Sequence, residues 1–274
     1  MNRNTFPLLT GAERKLPLFV TSVGGWYNQE RMLRETGFPD YQWIQTLGGE
    51  GVLHTDHMTA GLSKGQGMLL IPHERHEYYA TKEPWEVMWV SFNGSMAKEL
   101  LASLSFTHSQ TLYVSHPDTI LKKMHAALSL LDAHTSLTGF ECSSLMYQML
   151  LDLHTYASPL EVRTKRQHYE QLFPVLSYIE KNFRQPISLE MIASRLQLSP
   201  QYTCHLFQQT LGMRPFEYIN KFRLSKAKEL LLAQMAMDVK EVAQHVGYEH
   251  ASYFIKLFKR EEGVTPSAFR RIHR

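Results

Sequence analysis

Two stretches near the C-terminus decide the fold: ISLEMIASRLQLSPQYTCHLFQQTLGMRPFEYI at residues 187–219 and DVKEVAQHVGYEHASYFIKLFKREEGVTPSAFR at residues 238–270. Both carry apolar residues at positions i, i+3, i+4 and i+7, which is the spacing of one helix face. These residues are Leu189, Ile192, Ala193 and Leu196 in the first stretch and Val239, Val242, Ala243 and Val246 in the second. Each stretch is therefore predicted to begin with a helix of about ten residues that buries one side.

The second half of each stretch repeats as well. Five residues recur at a displacement of 51 positions: Leu206, Phe207, Gly212, Pro215 and Tyr218 match Leu257, Phe258, Gly263, Pro266 and Phe269. Only Gln197 and Leu198 separate the two helices of the first copy, and residues 247–249 separate those of the second. A turn this short makes two helices cross steeply, as in a helix-turn-helix whose second helix enters the major groove of DNA.

Capping residues mark where the helices should start. Asp238 and Glu241 have the spacing of a capping box. Ser199-Pro200 and Thr265-Pro266 each combine an N-cap residue with a proline at the first helical position. The sequence thus predicts three helix starts independently of the apolar pattern.

The region from about Leu172 to Arg271 resembles the DNA-binding domain of the AraC/XylS family of bacterial transcription regulators. The resemblance covers about 100 residues and is carried by residues 187–231 and 238–270, especially GYEHASYFIKLFKREEGVTPSAFR. It implies two helix-turn-helix units, at about 188–212 and 238–263, joined by a helix over Arg223–Leu232. It also implies double-stranded operator DNA and RNA polymerase as partners.

Helical spacing predicts which side chains of the second helices contact bases. Because the repeated Leu-Phe pairs face the core, other faces are left for DNA. The candidates are Gln201, Cys204 and His205 in the first unit and His250, Ala251, Ser252 and Lys256 in the second. Gln suits adenine, Lys suits guanine and Ala suits the thymine methyl group. The alternative for each is an exposed residue that contacts only phosphate or water.

Charge favours the same half of the chain for DNA binding. Residues 1–165 contain 13 Lys and Arg against 16 Asp and Glu, whereas residues 166–274 contain 16 against 10, a net charge of +6. Six of these cations are together predicted to contact phosphates and to set the salt dependence, although for each one alone a solvated surface residue is the commoner case. They are Lys221, Arg223, Lys226, Lys259, Arg270 and Arg271.

The N-terminal half shows short apolar runs of period two, which are typical of strands. Strands are predicted at Tyr41–Leu47, Gly51–His57, Met68–Pro72 and Glu86–Phe92, with glycine-rich or proline-containing turns between them. Helices follow, with one stripe at Leu121, Met124, Leu128 and Leu131 and another at Met146, Met149, Leu150 and Leu153. The first stripe fits either a dimer seam or a face packed on the sheet.

This half also resembles, more loosely, the cupin-like effector domain of the arabinose-sensing branch of the same family. The matching segments are FPLLTG, YQWIQTLGGEG, GMLLIPHERHEYY and WEVMWVSFNG. The resemblance implies a sugar pocket formed by Pro7, Thr21, Arg34, Tyr78 and Trp89. An indole face suits sugar C–H groups, and Arg and Thr can bond hydroxyls. Val87 stands where the arabinose sensors have histidine, which favours a different sugar.

Catalysis and metal binding find no support in the sequence. His54, His57, His73 and His76 could suggest a metal-dependent cupin, but the three-residue spacing of the first two puts their side chains on opposite faces of a strand. The sequence contains no nucleophile-elbow motif, no phosphate-binding loop motif and no paired-carboxylate motif. We therefore expect no metal, no cofactor and no enzyme activity, and we expect His76 to hydrogen-bond inside the barrel.

Length and composition limit the number of domains and the class of fold. With 274 residues, 43% apolar and 20% charged, the chain can form two domains with real cores, which excludes wholesale disorder. The predicted fold class is α+β: a cupin-like β-barrel with flanking helices at residues 1–157, a linker at 158–168 and an all-α DNA-binding domain at 169–274. Lacking a signal peptide or a membrane span, the chain is predicted to be cytoplasmic.

These features together predict a homodimeric, sequence-specific DNA-binding regulator. It should activate genes of carbohydrate uptake or breakdown when a sugar, its small-molecule effector, occupies the barrel. An AraC-type regulator that answers a non-sugar signal is the main alternative. A cupin enzyme fused to the same DNA-binding module is the other.

Overall fold

The computed structural model describes residues 2–133, 135, 137–159 and 165–273. It separates into two compact units, Met1–Arg166 and Gln167–Arg274. Residues 160–164 of the predicted linker lie outside the described residues. In the described part of the chain, none of the helices combines the length and the apolar character needed to cross a membrane.

Within its described residues, the first unit is built on one antiparallel sheet with three α-helices and a short 3-10 helix, Glu13–Lys15. Its strands are β1 Arg3–Thr5, β2 Phe19–Trp26, β3 Met32–Arg34, β4 Tyr41–Thr55, β5 Thr59–Leu62, β6 Gln66–Leu70, β7 His76–Asn93, β8 Gln110–Val114 and β9 Ala157–Ser158. Its helices are α1 Ala97–Ser103, α2 Pro117–Ala133 and α3 Thr138–Tyr156. The strand order is β1-β2-β7-β4-β6-β8-β9, with β3 added to β7 and β5 added to β4.

Two of the predicted turns are wrong, because they lie inside long strands. Residues 48–51 lie within β4 and residues 82–84 lie opposite them within β7, where the pairing register shifts three times between Thr46 and Gly51. These bulges absorb the extra residues without ending either strand. Gly49 takes a φ of +72°, and a Cβ there would lie 2.1 Å from the Pro84 carbonyl oxygen. Glycine is thus required by a bulge and not by a hairpin turn.

The bulges also let the sheet enclose a core. Ile44 and Leu53 would point to opposite faces of a regular strand, yet both belong to one buried cluster with Tyr78, Trp85 and Trp89. The two halves of β4 therefore face a common interior, as a cupin-like barrel requires. The predicted combination of a β domain and a helical domain is confirmed.

The outer face of the sheet carries α2 and α3. Met124, Leu128 and Leu131 of α2 are buried in one cluster with Met146 and Leu150 of α3 and with sheet residues. Of the two interpretations of the α2 stripe, packing on the sheet is therefore the correct one. A dimer contact, if the chain forms one, must use other residues.

The second unit is entirely helical. Its helices are α4 Lys165–Asn182, α5 Leu189–Leu196, α6 Pro200–Leu211, α7 Pro215–Ala233, α8 Val239–His245, α9 Ala251–Glu262 and α10 Pro266–Ile272. The joining helix α7 starts eight residues earlier than the predicted Arg223. Pairs α5/α6 and α8/α9 form the two helix-turn-helix units, each with its own core.

All three predicted helix starts are confirmed. The hydroxyl oxygens of Ser199 and Thr265 accept hydrogen bonds from the main-chain N–H groups of Tyr202, at 3.2 Å, and Ala268, at 3.3 Å. The Asp238 N–H donates to Glu241 Oε2 at 2.9 Å, which completes the capping box. The fold of this unit follows directly from local sequence signals.

The two turns match bond for bond. The Leu198 N–H donates to the Ala193 carbonyl at 3.1 Å, and fifty residues later the Tyr248 N–H donates to the Ala243 carbonyl at 2.9 Å. The residue before each donor has a positive φ, 56° at Gln197 and 91° at Gly247. The two turns therefore begin with the same hydrogen bond and a positive φ, and the second turn is longer before its second helix starts.

Candidate ligand cavity and nucleic-acid interface

A cavity of about 520 Å³ opens in the first unit, beside the inner core of the sheet. Its size falls in the range of small-molecule sites. Aromatic and amide side chains dominate its lining, with one arginine and one carboxylate. The lining residues are Asn2, Asn4, Phe6, Ser22, Trp26, Asn28, Gln29, Glu30, Met32, Arg34, Phe38, Gln42, Ile44, Tyr78 and Trp89.

Arg34 is the cation of the cavity, and protein groups hold it in place. Its Nη1 donates to Gln42 Oε1 at 3.2 Å and lies 3.4 Å from His76 Nε2. The guanidinium carbon lies 4.2 Å from the centre of the Phe38 ring. Gln42 in turn donates to Ser91 Oγ at 3.0 Å. The guanidinium is thereby oriented before a ligand arrives, and its remaining N–H groups can donate to it.

His76 supports Arg34 from inside the barrel, as predicted for a barrel histidine. Its side chain is fully buried, and Nδ1 lies 2.8 Å from the Glu74 carbonyl oxygen. Because a carbonyl only accepts, Nδ1 carries the proton and Nε2 is left to accept from Arg34. Burial lowers the pKa of His76, and the Arg34 charge lowers it further. A neutral imidazole thus suits this position.

Two indoles form the apolar wall. The rings of Trp26 and Trp89 lie 5.7 Å apart at 40°. Trp89 pairs with Gly24 across β2 and β7, and a Cβ at Gly24 would come within 2.4 Å of the Trp89 ring. The glycine therefore lets the indole lie flat against the sheet. Two aromatic faces in a cavity that also carries amide and guanidinium groups can hold a ligand that has both apolar and hydroxyl faces.

The structure brings together three of the five residues predicted for ligand binding. Arg34, Tyr78 and Trp89 line the cavity, whereas Pro7 and Thr21 lie outside its lining. Side chains alternate along strands, so the neighbours Phe6 and Ser22 line it instead.

Sequence reasoning missed several lining residues. Asn2, Asn4 and Phe6 fall at every second position of the N-terminal segment, and Gln42 is a buried polar residue between Tyr41 and Trp43. The period of two was a usable signal for the first three. A polar residue between two aromatics in a strand was the signal for Gln42.

The predicted base-contacting residues lie on the second helix of each unit, α6 and α9, or just before it. Gln201, His205, His250, Ser252 and Lys256 are exposed. Cys204 is half-buried, and Ala251 is half-buried against the core of the second unit. The side chains of Leu206, Phe207, Phe254, Leu257 and Phe258 face inward. The exposed faces remain available to the major groove.

The repeat of 51 residues adds two positions to this face. Gln208 follows His205 by three residues on α6, and Lys259 follows Lys256 by three on α9; both are exposed. Three-residue spacing keeps them on the face of the predicted readers. Lys259 was predicted as a phosphate contact, and this position is equally suited to a base edge.

Two of the arginines predicted to contact phosphates are bonded to carbonyls of their own domain. The Arg223 Nε donates to the Phe183 carbonyl at 2.7 Å and its Nη2 to the Gln185 carbonyl at 2.9 Å. Arg270 donates to the carbonyls of Leu231, Met235 and Met237. Both guanidiniums thus cap main-chain carbonyls inside the domain. Lys226 pairs with Glu229, whereas Lys221 and Arg271 are exposed.

The histidines considered for a metal lie apart in different environments. His54 contacts Thr59 and Tyr79 at 2.8 and 3.2 Å, and His57 is exposed beyond the end of β4. Among the residues that the structure describes, no group of three or more His, Cys, Asp or Glu side chains could hold a metal ion.

Comparison with known proteins gives two family matches. An AraC-like ligand binding domain matches residues 25–150, and a helix-turn-helix domain matches residues 192–272. The chain is 24% identical over 230 residues to the raffinose operon transcriptional regulatory protein of Pediococcus pentosaceus, covering 81% of this chain and 82% of that protein. It is 25% identical over 235 residues to the Msm operon regulatory protein of Streptococcus mutans, covering 82% of each.

Solved structures also match part of the chain, and one of them is a domain of a response regulator. The C-terminal domain of AraT, a response regulator from Geobacillus stearothermophilus, is 36% identical and covers 37% of this chain and 84% of that domain, with a TM-score of 0.36. By their names, all three of these proteins are regulators.

Proposed function

We propose that this chain, which belongs to the AraC family of transcription regulators, activates carbohydrate genes when a neutral sugar binds its N-terminal cavity. The chain is a DNA-binding regulator with a ligand-binding domain. The sugar and the activating role are our proposal. So are the homodimer, the contact with RNA polymerase and action in the cytoplasm.

The lining of the cavity carries the proposal. Trp26, Trp89 and Phe38 offer aromatic faces, and five amide side chains, Asn2, Asn4, Asn28, Gln29 and Gln42, offer both donors and acceptors. Amides suit hydroxyl groups, which also donate and accept. The lining contains one arginine, Arg34, and one carboxylate, Glu30, so it has no strong excess of either charge. A neutral polyhydroxylated ligand fits this set better than an anion or a hydrocarbon.

The relatives point the same way. One is named for the raffinose operon, and it aligns with this chain over both units. An oligosaccharide of that kind is therefore the first ligand to test. The Val87 side chain, buried in the inner core, leaves the wall next to Trp89 apolar.

A sugar panel tests the effector. Raffinose, other oligosaccharides and arabinose are added to the full-length chain, and binding is measured by calorimetry and by the shift in unfolding temperature. A ligand at 100 times its Kd stabilises the chain by about 2.7 kcal/mol, which is readily seen. If the sugars give no shift and a non-sugar metabolite does, the alternative signal is correct. Metal analysis of the purified chain tests the enzyme alternative.

The dimer contact is proposed on α3. Phe140, Tyr147 and Leu151 are 45%, 45% and 40% exposed and fall at i, i+7 and i+11, so they form one apolar stripe. Such a stripe on a helix is suited to pairing with a second copy. Tyr147→Glu should shift the chain from dimer to monomer in analytical ultracentrifugation. Gln148→Glu, which adds the same charge at the exposed neighbouring position, is the matched control.

The DNA-binding role is tested by selection. Duplexes selected from a random 30-base-pair library by the full-length chain should contain two half-sites about one helical turn apart, near 34 Å. A reporter gene placed downstream of the selected sequence, with bacterial RNA polymerase, tests activation. A fall in transcription on adding the sugar would contradict the activator role.

A further inference from the structure

The two helix-turn-helix units meet at more than their joining helix. Phe183 lies in the loop that leads from α4 to the first helix-turn-helix unit, and it packs against the core of the second helix-turn-helix unit. Its ring lies 5.3 Å from that of Phe222 on α7. Phe183 therefore joins the loop to both the joining helix α7 and the second helix-turn-helix unit.

The main chain at Gly247 also packs closely against the main chain of this loop. Gly247 is the turn residue of the second helix-turn-helix unit. A Cβ at this position would lie 2.7 Å from the Phe183 carbonyl oxygen and 2.9 Å from the Arg184 carbonyl oxygen. Side chains larger than hydrogen would push the turn away from the loop. The φ of +91° favours glycine independently.

Arg223 of α7 ties the two units together. Its guanidinium bonds the Phe183 and Gln185 carbonyls of the loop, at 2.7 and 2.9 Å. The guanidinium carbon of Arg223 lies 5.4 Å from the centre of the Tyr248 ring, and Tyr248 belongs to the turn of the second helix-turn-helix unit. The Tyr248 hydroxyl donates to Asn220 Oδ1 on α7 at 3.1 Å.

These groups do not lie on the predicted DNA-binding faces. Tyr248 is 5% exposed and Arg223 is half-buried, and both are committed to partners within the domain. The recognition faces of α6 and α9 are formed by other residues. Contacts of this kind can act on DNA binding only through the relative position of the two units.

We infer that Arg223 and Tyr248 are positioning residues that fix the separation and the rotation between the two recognition helices. A rigid pair of units recognises two half-sites only at one spacing, because each added base pair moves a half-site along and around the duplex. A flexible pair would accept several spacings with less loss. The joint thus makes operator spacing part of the specificity of this chain. This inference rests on the proposed binding to two half-sites.

Operator spacing provides the test. The duplex selected by the wild-type chain is compared with duplexes that carry one base pair more or less between the two half-sites, by fluorescence anisotropy. For wild type, one base pair should weaken binding on the order of tenfold, since the displaced half-site no longer faces its helix. In Arg223→Lys, which keeps the charge but not both carbonyl bonds, the ratio should fall to within about threefold.

Two further variants make the test decisive. Tyr248→Phe removes only the hydroxyl bond and should reduce the spacing ratio less, while its unfolding temperature shows that the domain is folded. Arg260→Lys makes the same chemical change at an arginine whose side chain is 72% exposed and paired with Glu261, and it should keep the wild-type ratio. If Arg223→Lys and Tyr248→Phe both keep the wild-type ratio, the positioning role is wrong. If wild type selects no paired half-sites, the proposed DNA recognition itself fails.

Discussion

At the scale of single residues, strand alternation decides which side chains can contact the ligand, because successive residues of a strand point to opposite faces of the sheet. Trp89 stands 6% exposed against Gly24 and Ile44, with one face toward the cavity. Trp89→Leu keeps much of the apolar volume but removes the flat ring. Sugar binding should weaken about tenfold or more, because the stacking surface is lost. Calorimetry measures the loss, and DNA affinity without sugar should stay within about twofold of wild type.

Leu33 supplies a matched control for this variant. It lies on β3 between the lining residues Met32 and Arg34, but it is 47% exposed and points away from the cavity. Leu33→Ala should leave sugar affinity unchanged. Equal weakening by both variants would show that general destabilisation, and not stacking, is being measured.

His76 predicts a pH dependence of stability. Burial holds the pKa of this imidazole below its ordinary value, so the folded chain resists a proton that the unfolded chain accepts. Its contribution to the free energy of unfolding is therefore complete above the ordinary histidine pKa and is lost as pH falls toward the lowered folded pKa. Urea unfolding between about pH 7 and about pH 5 should show a shallower decline for His76→Gln than for wild type.

The other histidines provide the comparison. His57 is exposed beyond β4, and His57→Gln removes an imidazole without touching the Arg34 network. Its pH profile should follow that of wild type. An unchanged profile in His76→Gln would mean that the buried imidazole makes no net contribution to the decline.

Lys256 tests base reading. It is exposed on α9, at the position equivalent to His205 on α6. If it contacts a base, Lys256→Ala should cost on the order of 1–3 kcal/mol and relax the preference at one position of the selected site. Competition binding to single-base variants of the duplex measures this. Uniform weakening across all variants would instead identify a phosphate contact.

At the scale of elements, helix caps give the sharpest prediction. The Asp238 carboxylate accepts from the Lys240 N–H at 3.4 Å, and the Asp238 N–H donates to Glu241. Asp238→Ala should lower the free energy of unfolding by about 1 kcal/mol. Asp238→Asn retains a cap and should stay within a few tenths of that value for wild type. Loss in both variants would point to charge and not to capping.

The same local rules explain how far the sequence predicts the fold. Caps, turns and apolar stripes of the second unit involve residues within seven positions of each other, so their signals are complete in the local sequence. In the first unit, Gly48 to Gly51 look like a turn, but long-range pairing with β7 makes them a bulge. Short strands such as β1 and β3 pair with residues far along the chain, so the period of two at Asn2, Asn4 and Phe6 shows which side chains share a face but not which strand β1 pairs with.

The candidate site follows the same division. Arg34, Tyr78 and Trp89 lie on strands whose alternation is visible in the sequence, and they line the cavity. Thr21 misses it by one position, because the bulge between Val20 and Ser22 changes which residues of β2 face inward. Pro7 follows the lining residue Phe6 in the N-terminal segment. In the sequence, Arg223 is one of many cations in a basic domain. Only the fold shows that its guanidinium donates hydrogen bonds to main-chain carbonyls.

At the scale of the whole chain, the N-terminal segment joins the cavity to the helical hairpin behind the sheet. Strand β1 pairs with β2, which places Asn2, Asn4 and Phe6 in the cavity wall. Arg3, on the other face of β1, forms an ion pair with Asp132 near the end of α2. The Glu13 carboxylate, which is buried, bonds the main chain of Thr10 and Gly139 at the start of α3. The segment is therefore fixed at two points, with the cavity contacts at its first end.

A ligand can shift a regulator only through contacts that differ between two states. The N-terminal segment is suited to provide them, because the Phe6 and Leu8 side chains are 66% and 91% exposed and little burial opposes its release. Deleting residues 1–12 should weaken sugar binding and uncouple transcription from sugar. Within the segment, Phe6→Ala should weaken sugar binding severalfold, whereas Leu8→Ala, which removes a side chain outside the cavity, should not.

Calorimetry and a sugar-dependent reporter, measured on the same variants, distinguish a cavity wall from a switch. A segment that only lines the cavity would lose affinity in Phe6→Ala yet recover full activation at saturating sugar. A segment that also transmits the signal should leave Arg3→Ala, which breaks the Asp132 pair but spares the lining, with near-normal affinity and reduced activation at saturation, because affinity and coupling are separate free energies. Full activation of both Arg3→Ala and the deleted chain at saturating sugar would reduce the segment to a wall of the pocket.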